Sequence, residues 1–405
     1  MLTVDDYRPL DPAVVANPYP YYAALRRDAP VHHLADLDFW FVSRHRDVTN
    51  VLADAGTFTS EAMAALVVRP GGFGASDEPT PVSIVGTDGE YHSRLRRIVN
   101  RGFTPRRIAE LESNLRDTAR QLVDVIVERE QTELLADLAV PLPVIAIAEL
   151  LGVDPGERDE FRRWSNAMIV AVFERPDARQ SEEIAGCLLA MEEWVDRVLA
   201  GNAGPNAKDL VSVLMRAEND EALTRPELIT FLFTLLVAGS VTTTHLIANA
   251  MIALHASPEA LETLQRCPER TAAAVEEALR FDPPFQLGFR TAAHDVVVAG
   301  TTIPGGATVV PAIGAANRDE RVYADPDRFD VHRAPRDHLA FGHGPHFCLG
   351  AALARLEARV ALEELLARVS SVEITSPVEY LDSLVFRGPK RLDMALRAQR
   401  RLLAF

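Results

Sequence analysis

Cysteine is scarce in this chain, which has only Cys187, Cys267 and Cys348 among its 405 residues. Three cysteines this far apart form neither a disulfide framework nor a paired-cysteine metal site, and they favour a reducing, cytoplasmic location. The amino-terminal residues lack the basic start and apolar core of a signal peptide. Apolar runs such as 138–148 fall short of the roughly 18 residues that a membrane span needs, so we expect no membrane association.

Basic residues are fewer than acidic ones: the chain has 42 Lys and Arg and 58 Asp and Glu, which gives a net charge of −16. A chain this acidic is a poor partner for nucleic acid, and we expect it to bind none. With 48% hydrophobic residues it is too apolar to be disordered. Its length alone suggests roughly two or three domains. Linkers, internal repeats and low-complexity tracts are nevertheless lacking.

Strand-like patterns are few and short, and they occur at 38–42, 295–298, 301–303, 308–311 and twice near the end of the chain. Apolar residues at helical spacing are far more common and occur over 111–128, 186–200, 227–255, 268–280 and 349–368. The pattern therefore predicts a mainly α protein with small β-sheets.

The helix that begins near Arg225 has a strong start signal, since Thr224 and Glu227 form a capping-box pattern. No acidic residue follows Glu227 until Glu259, so we expect a central helix with most of its surface buried. Its interior contains Ala238-Gly239 and then three threonines, residue types that helix interiors disfavour. A helix interior with residue types that helices disfavour often marks a functional site.

The loop Phe341-Gly-His-Gly-Pro-His-Phe-Cys348-Leu-Gly350 leads directly into the predicted helix 349–368. A helix N-terminus stabilises an anion, so we expect the Cys348 thiol to ionise readily. A lone thiolate cannot build a tetrahedral zinc site, but it can serve as the single axial ligand of an iron held in a macrocycle. The sequence thus indicates heme. We interpret the other two cysteines as small buried hydrophobic residues.

This loop resembles, position for position, the heme-ligand signature of the cytochrome P450 family. Three further matches occur in the family's order: Glu277-Ala-Leu-Arg280, His92-Ser-Arg-Leu-Arg96, and Arg290 after the Pro283-Pro284 break. The resemblance covers nearly the whole chain. It implies a single heme domain over 1–405 with the helix-rich triangular-prism fold, in which heme b (iron protoporphyrin IX) lies between the central helix and the cysteine-ligand helix.

The resemblance also implies the residues around the heme. Cys348 would ligate the iron, and His92, Arg96, Arg290 and His346 would contact the two propionates. The remaining residues that it places against the ring are Ala238, Phe341, Gly342 and Gly350. Glu277 and Arg280 would lock the heme-side core together with a later arginine, for which both Arg328 and Arg333 are candidates.

The central helix departs from the family pattern, which reads Ala-Gly-x-acid-Thr. Gly239 and Thr242 match this pattern, whereas Val241 replaces the acid that passes protons toward dioxygen. His245 lies one turn after Thr242 and is a candidate proton relay. The alternatives are that His245 only fills a packing position, or that ordered water or substrate hydroxyls supply the protons.

The resemblance places a substrate pocket above the heme, and the residues it assigns there are all apolar. Any one of them has core packing as its alternative role. The set favours a lipophilic molecule such as a terpenoid, steroid, macrolide or aromatic compound. The predicted pocket residues are Met63, Leu66, Val67, Phe73, Met168, Val172, Leu235, Val241, Phe285, Leu287, Phe289, Val385 and Phe386.

The chain has no flavin or nicotinamide fingerprint, so electrons must come from a separate donor. A basic cluster interrupts the acidic chain and favours docking of an acidic ferredoxin, with a plain solvated face as the alternative. Its members are Arg94, Arg96, Arg97, Arg101, Arg106 and Arg107, with Arg355 and Arg359 as additions. The leading function is a monooxygenase that performs hydroxylation. The alternatives are a heme–thiolate enzyme working with peroxide or by oxidative coupling, and a non-catalytic heme-binding protein.

Overall fold

The structure is a computed structural model that describes residues 2–67, 83–173, 177–201, 209–215 and 222–399. Within these ranges, the structure describes the backbone but not the side chains of residues 65–67, 155, 169, 171–173 and 201.

Helices dominate the fold, as the apolar spacing predicts. They are α1 (Pro12–Ala16), α2 (Tyr19–Asp28), α3 (His45–Ala53), α4 (Glu61–Val67), α5 (Gly89–Asn100), α6 (Pro105–Glu110), α7 (Glu112–Arg129), α8 (Pro141–Leu151), α9 (Arg158–Phe173), α10 (Ala178–Gly201), α11 (Leu210–Met215), α12 (Arg225–His255), α13 (Pro258–Arg266), α14 (Thr271–Phe281), α15 (Ile313–Ala316) and α16 (Ala351–Leu366). The predicted helix 268–280 divides into a short 3₁₀ turn and α14.

The strands are short. They are β1 (Val31–Leu34), β2 (Phe39–Val42), β3 (Phe58–Thr59), β4 (Gln131–Glu133), β5 (Arg290–Ala292), β6 (Val296–Val298), β7 (Thr301–Ile303), β8 (Thr308–Pro311), β9 (Val369–Ile374) and β10 (Asp393–Ala398). One sheet has the order β1-β2-β8-β5-β3, in which only β2 and β8 are parallel. A second has the order β4-β10-β9, and β6 pairs with β7. The mainly α prediction with small sheets is confirmed.

Helix α12 runs through the centre of the molecule and packs against α8, α9, α14 and α16. The predicted capping box at its start is present, since Glu227 N–H donates to the Thr224 hydroxyl and Thr224 N–H donates to the Glu227 carboxylate. Among the described helices, α12 alone is long and apolar enough to cross a membrane, but 78% of its most apolar window is buried. It is the core helix of this fold.

The pair Glu277–Arg280 on α14 is completely buried, with guanidinium–carboxylate distances of 2.8 and 2.7 Å. Arg333 is the later arginine that joins the pair, because its Nε lies 3.2 Å from Glu277 Oε1. Arg328 contributes only its carbonyl oxygen, which accepts from Arg280 at 3.2 Å. Of the two candidates, Arg333 therefore completes the ion pair, and the side chain of Arg328 takes no part in it. The cluster fixes α14 against the segment that leads to Cys348.

Candidate functional site

An apolar cavity of about 280 Å³ separates α12 from the loop that precedes α16. Ala238, Gly239 and Thr242 line it from the α12 side, and Cys348 and Gly350 line it from the loop side. Gly239 allows a close helix contact, because a Cβ there would lie 2.8 Å from the Cδ1 of Ile147 on α8. The cavity therefore lies between two segments with unusual sequences, the interior of α12 and the loop around Cys348.

The loop around Cys348 is held by its own backbone. Cys348 N–H donates to the Phe341 carbonyl at 2.8 Å, and Gly342 and Gly344 adopt φ values of 73° and 72°, which favour glycine. At Gly344 a Cβ would also lie 2.8 Å from the Cα of Ala53, so no side chain fits. This geometry directs the Cys348 thiol into the cavity.

The thiol does not ionise as readily as its position before a helix predicts. Burial raises the pKa of the Cys348 thiol, and the Gly350 N–H, Arg96 and Arg355 only partly oppose this effect. Helix α16 begins at Ala351, so Cys348 lies outside its first turn. A metal cation bound to the sulfur would supply the missing stabilisation of the thiolate.

Four predicted heme contacts line one end of the cavity: His92, Arg96, Arg290 and His346. The rings of His92 and His346 lie 4.2 Å apart. Burial lowers the pKa of His92 to about 4, with His346 and Arg96 as further causes, and its Nε2 has no described partner. His346 is held in place from behind, since its Nε2 lies 2.9 Å from Asp88 Oδ1.

These residues fit heme. Arg96 and Arg290 form no ion pair with another described residue, and burial lowers the pKa of both. Buried cations need counter-charges, and two propionates would provide them. The unpartnered Nε2 of His92 can donate a further hydrogen bond to a propionate carboxylate. The cavity is also lined by Phe341, Gly342 and Gly350, which the resemblance places against the ring.

On the α12 side, the Thr242 hydroxyl faces the cavity and donates to the Ala238 carbonyl at 2.6 Å. Neither Val241 nor His245 lines the cavity in the part of the chain that the structure describes. The His245 ring packs on Gly388, where a Cβ would lie 2.1 Å from Nδ1, and burial lowers its pKa to about 4. The structure therefore favours packing over the predicted relay role of His245.

Sequence reasoning missed Glu357, the only acidic residue on the described cavity wall. It is 1% exposed, burial raises its pKa to about 8, and its Oε1 has no described partner. An interaction with the Thr243 hydroxyl only partly opposes this rise in the pKa of Glu357. The sequence feature that could have identified Glu357 as buried is its position on the apolar face of α16, beside Leu353 and Val360.

Of the thirteen predicted pocket residues, Met63, Leu235 and Phe285 line the cavity. Met168, Leu287 and Phe289 belong to hydrophobic cores instead, and Val385 packs at the edge of one of them. Phe386 stacks edge-on against Phe285 and lines a separate small cavity.

The remaining pocket predictions cannot be placed, because Phe73 lies outside the described residues and the side chains of Leu66, Val67 and Val172 are not described. Several apolar wall residues were missed. They are Ile84, Phe103, Ile147, Phe231 and Leu246.

Many arginines of the predicted basic cluster are paired within the chain. Arg94 contacts Glu227 at 2.7 Å, and Arg106 contacts Glu110 at 3.1 Å. Arg355 forms two contacts with Glu276, and Arg359 contacts Glu112 at 2.8 Å. The surface is therefore less basic than the sequence suggests, and Arg96 points into the cavity.

Comparison with known proteins agrees with this geometry. The family model of cytochrome P450 matches residues 269–390. Cytochrome P450 107B1 of Saccharopolyspora erythraea is 36% identical over 96% of this chain and 97% of its own. The erythromycin C-12 hydroxylase of the same organism is 40% identical over 84% of this chain and 85% of its own. The solved structure of cytochrome P450 CYP109Q5 from Chondromyces apiculatus shares 40% identity and a TM-score of 0.88, covering 96% of this chain and 98% of its own.

Proposed function

The chain belongs to the cytochrome P450 family, and we propose that this monooxygenase inserts one oxygen atom of dioxygen into a lipophilic small molecule, with electrons from a separate ferredoxin. The observation that carries the proposal is the single cavity shared by Cys348, the basic residues Arg96 and Arg290, and the Thr242 hydroxyl. We assign residues 1–405 to a single heme domain in the cytoplasm.

Cys348 would hold the iron, and His92, Arg96, Arg290 and His346 would hold the propionates. Bound heme supplies the redox chemistry that activates dioxygen, and a thiolate ligand favours O–O cleavage. The protein's part is to orient the substrate, to exclude bulk water and to manage protons. The balanced reaction is R–H + O₂ + 2e⁻ + 2H⁺ → R–OH + H₂O, so two protons must reach the site for each turnover.

The cavity wall supports a lipophilic substrate. Apart from the propionate end and Glu357, its polar side chains are uncharged: Thr234, Thr242 and Thr243. The Thr234 hydroxyl is already engaged with the Thr230 carbonyl and Ser83, so few groups remain to anchor a polar ligand. A relative named for hydroxylation of erythromycin is consistent with a bulky substrate.

Proton supply is the feature in which this chain differs from the family pattern. With valine at position 241 and His245 outside the cavity, Thr242 has no acidic neighbour on α12. Glu357 and Thr243 both line the cavity and lie close enough for the Thr243 hydroxyl to affect the pKa of Glu357. Burial raises the pKa of Glu357 to about 8, so it holds a proton at neutral pH. We assign it the role of proton source, acting through Thr243 and ordered water.

The electron donor docks at the surface that carries Arg97 and Arg101, by charge attraction to an acidic ferredoxin. Arg97 is exposed and Arg101 is half-buried. The contribution of Arg355 and Arg359 to this surface is reduced, because both are paired with carboxylates of the chain.

The test is product formation from a panel of lipophilic compounds that displace iron-bound water. Turnover with ferredoxin and its reductase supports the monooxygenase, whereas product with peroxide alone supports the second candidate, which the missing acid at Val241 favours. Absence of product under both conditions, with ligand binding intact, would favour a non-catalytic heme protein.

A further inference from the structure

Beneath the cavity, on the side of Cys348, lies a second cluster of charged groups. It consists of His338, Glu276 on α14 and Arg355 on α16. Arg355 Nε lies 2.6 Å from Glu276 Oε1, and its Nη2 lies 2.9 Å from Glu276 Oε2. This bidentate pairing fixes the plane of the guanidinium as well as its position.

Glu276 is itself held in place. His338 Nε2 lies 2.9 Å from Glu276 Oε2. The Ala340 N–H donates to His338 Nδ1 at 3.3 Å, so Nε2 carries the ring proton and donates to the carboxylate. Although burial opposes ionisation, the hydrogen bonds from His338 and Arg355 lower the pKa of Glu276 to about 2. Glu276 is therefore a carboxylate at any ordinary pH.

The guanidinium that Glu276 holds lies over the ring of Phe341, with Cζ 4.4 Å from the centroid. Phe341 also lines the cavity, and its carbonyl accepts the N–H of Cys348. Arg355 is thus separated by a single residue, Phe341, from the cavity and from the backbone of Cys348. The two arginines that line the cavity itself, Arg96 and Arg290, belong to the propionate end.

We propose that Arg355 is a fixed positive charge that raises the reduction potential of the bound heme, and that Glu276 is the positioning residue that holds it against Phe341. This inference rests on the assignment of Cys348 as the iron ligand, but not on any substrate or electron donor. Reduction of the iron adds one electron, so a nearby cation stabilises the reduced form more than the oxidised form. Outer groups of this kind tune metal sites through charge and orientation.

The chain offers a matched control. Arg359 lies one turn after Arg355 on α16 and is likewise half-buried and paired, in its case with Glu112 at 2.8 Å and Glu363 at 3.3 Å. It makes no described contact with Phe341. Arg355→Gln and Arg359→Gln therefore remove the same charge from the same helix at two different positions relative to the iron ligand.

The experiment is spectroelectrochemical titration of the heme-loaded protein without substrate or donor. Arg355→Gln should shift the potential to more negative values by several times the shift of Arg359→Gln. Glu276→Asp keeps the charge but shortens the side chain, so it should also shift the potential in the negative direction, by less than Arg355→Gln. Equal potentials for Arg355→Gln and Arg359→Gln would overturn the role of Arg355, and an unchanged potential in Glu276→Asp would overturn that of Glu276.

Two checks keep the outcome interpretable. Thermal unfolding of the heme-loaded variants shows whether each one folds, and Arg355→Lys retains the charge if Arg355→Gln does not fold. Arg355→Lys should lie closer in potential to the wild type than Arg355→Gln does, and a potential as negative as that of Arg355→Gln would contradict the charge argument. Failure of the wild type to bind heme through Cys348 would appear in its carbon monoxide spectrum, and so would be distinguishable from failure of this inference.

Discussion

Glu357 on α16 and Thr243 on α12 line the same cavity, so the helix that follows Cys348 places a buried acid opposite the central helix. The described α12 wall of this cavity carries no acid. Val241 occupies the position at which the family pattern has an acid. On these two observations we propose that the protons come from the α16 side of the cavity and not from the central helix.

Glu357→Gln should uncouple electron use from product formation. An acid–base group contributes about 10²- to 10⁴-fold when it moves the proton in the rate-determining step, so we expect product per electron to fall by roughly tenfold or more. Thr243→Val should show the same defect and Thr243→Ser should not. In assays with ferredoxin and its reductase, the release of hydrogen peroxide should rise as product formation falls.

The neighbouring Thr244 provides the control for this series, since its hydroxyl donates to the Ala139 carbonyl instead. Thr244→Val should keep the wild-type coupling. Product formation driven by added peroxide should survive in Glu357→Gln, because peroxide brings its own protons. If both Glu357→Gln and Thr243→Val form as much product per electron as the wild type, Glu357 is not the proton source.

Glu357 should also make folding stability depend on pH. Its pKa is raised from 4.5 to about 8 in the folded chain, so folding takes up a proton between these values. The stability contributed by this group is complete below the lower pKa and is lost as the pH rises through the higher one. The loss is about 1.4 kcal/mol per pH unit in that window.

Urea denaturation of the wild type and Glu357→Gln at several pH values measures this effect. The free energy of unfolding of the wild type, relative to the variant, should fall steadily from about pH 5 to about pH 8. A difference that does not change with pH would mean that Glu357 is ionised in the folded protein.

Glu277→Gln should be severely destabilising. It leaves Arg280, which is fully buried, without its counter-charge, and breaking a buried pair costs about 3–5 kcal/mol. The exposed pair Glu262–Arg266 on α13, at 2.6 Å, is the comparison; Glu262→Gln should cost less than about 1 kcal/mol. Thermal unfolding and heme content of the purified variants test this, and similar losses in both would refute it.

Charge reversal at Arg97 or Arg101 should raise the KM for ferredoxin, and higher ionic strength should weaken the wild-type interaction in the same way. Arg266→Glu on α13 makes the same charge change at another exposed site and should have a smaller effect. Peroxide-driven turnover should be unaffected. If donor-driven turnover responds neither to salt nor to these reversals, docking occurs elsewhere.

The sequence predicted the parts of the molecule that depend on local pattern. The capping box at Thr224, the helical periodicity and the segment around Cys348 are local signals, and the structure has α12 and the Cys348 loop facing one cavity. The mainly α fold followed from the same periodicity. The choice between Arg328 and Arg333 could not be made, because it depends on how a loop folds back onto α14.

Side-chain direction was the main source of error. Phe285 and Leu287 are two residues apart and would point to the same side in a regular strand, yet only Phe285 lines the cavity. Each forms only an isolated β-bridge, with Phe386 and with Ala312, so the two-residue period of a regular strand does not predict their directions. Glu357 was missed for a different reason: a charged residue in a helix usually lies at the surface. Only the packing of α16 against α12 shows that this one is buried.

The most direct test of the central claim is the difference spectrum of the reduced protein with carbon monoxide. We predict the red-shifted band that is typical of thiolate-ligated heme in the wild type, and its loss in Cys348→Ala, while the Cys187→Ala and Cys267→Ala controls retain it. Absence of the band in the heme-loaded wild type, or its survival in Cys348→Ala, would contradict the assignment of Cys348 as the iron ligand.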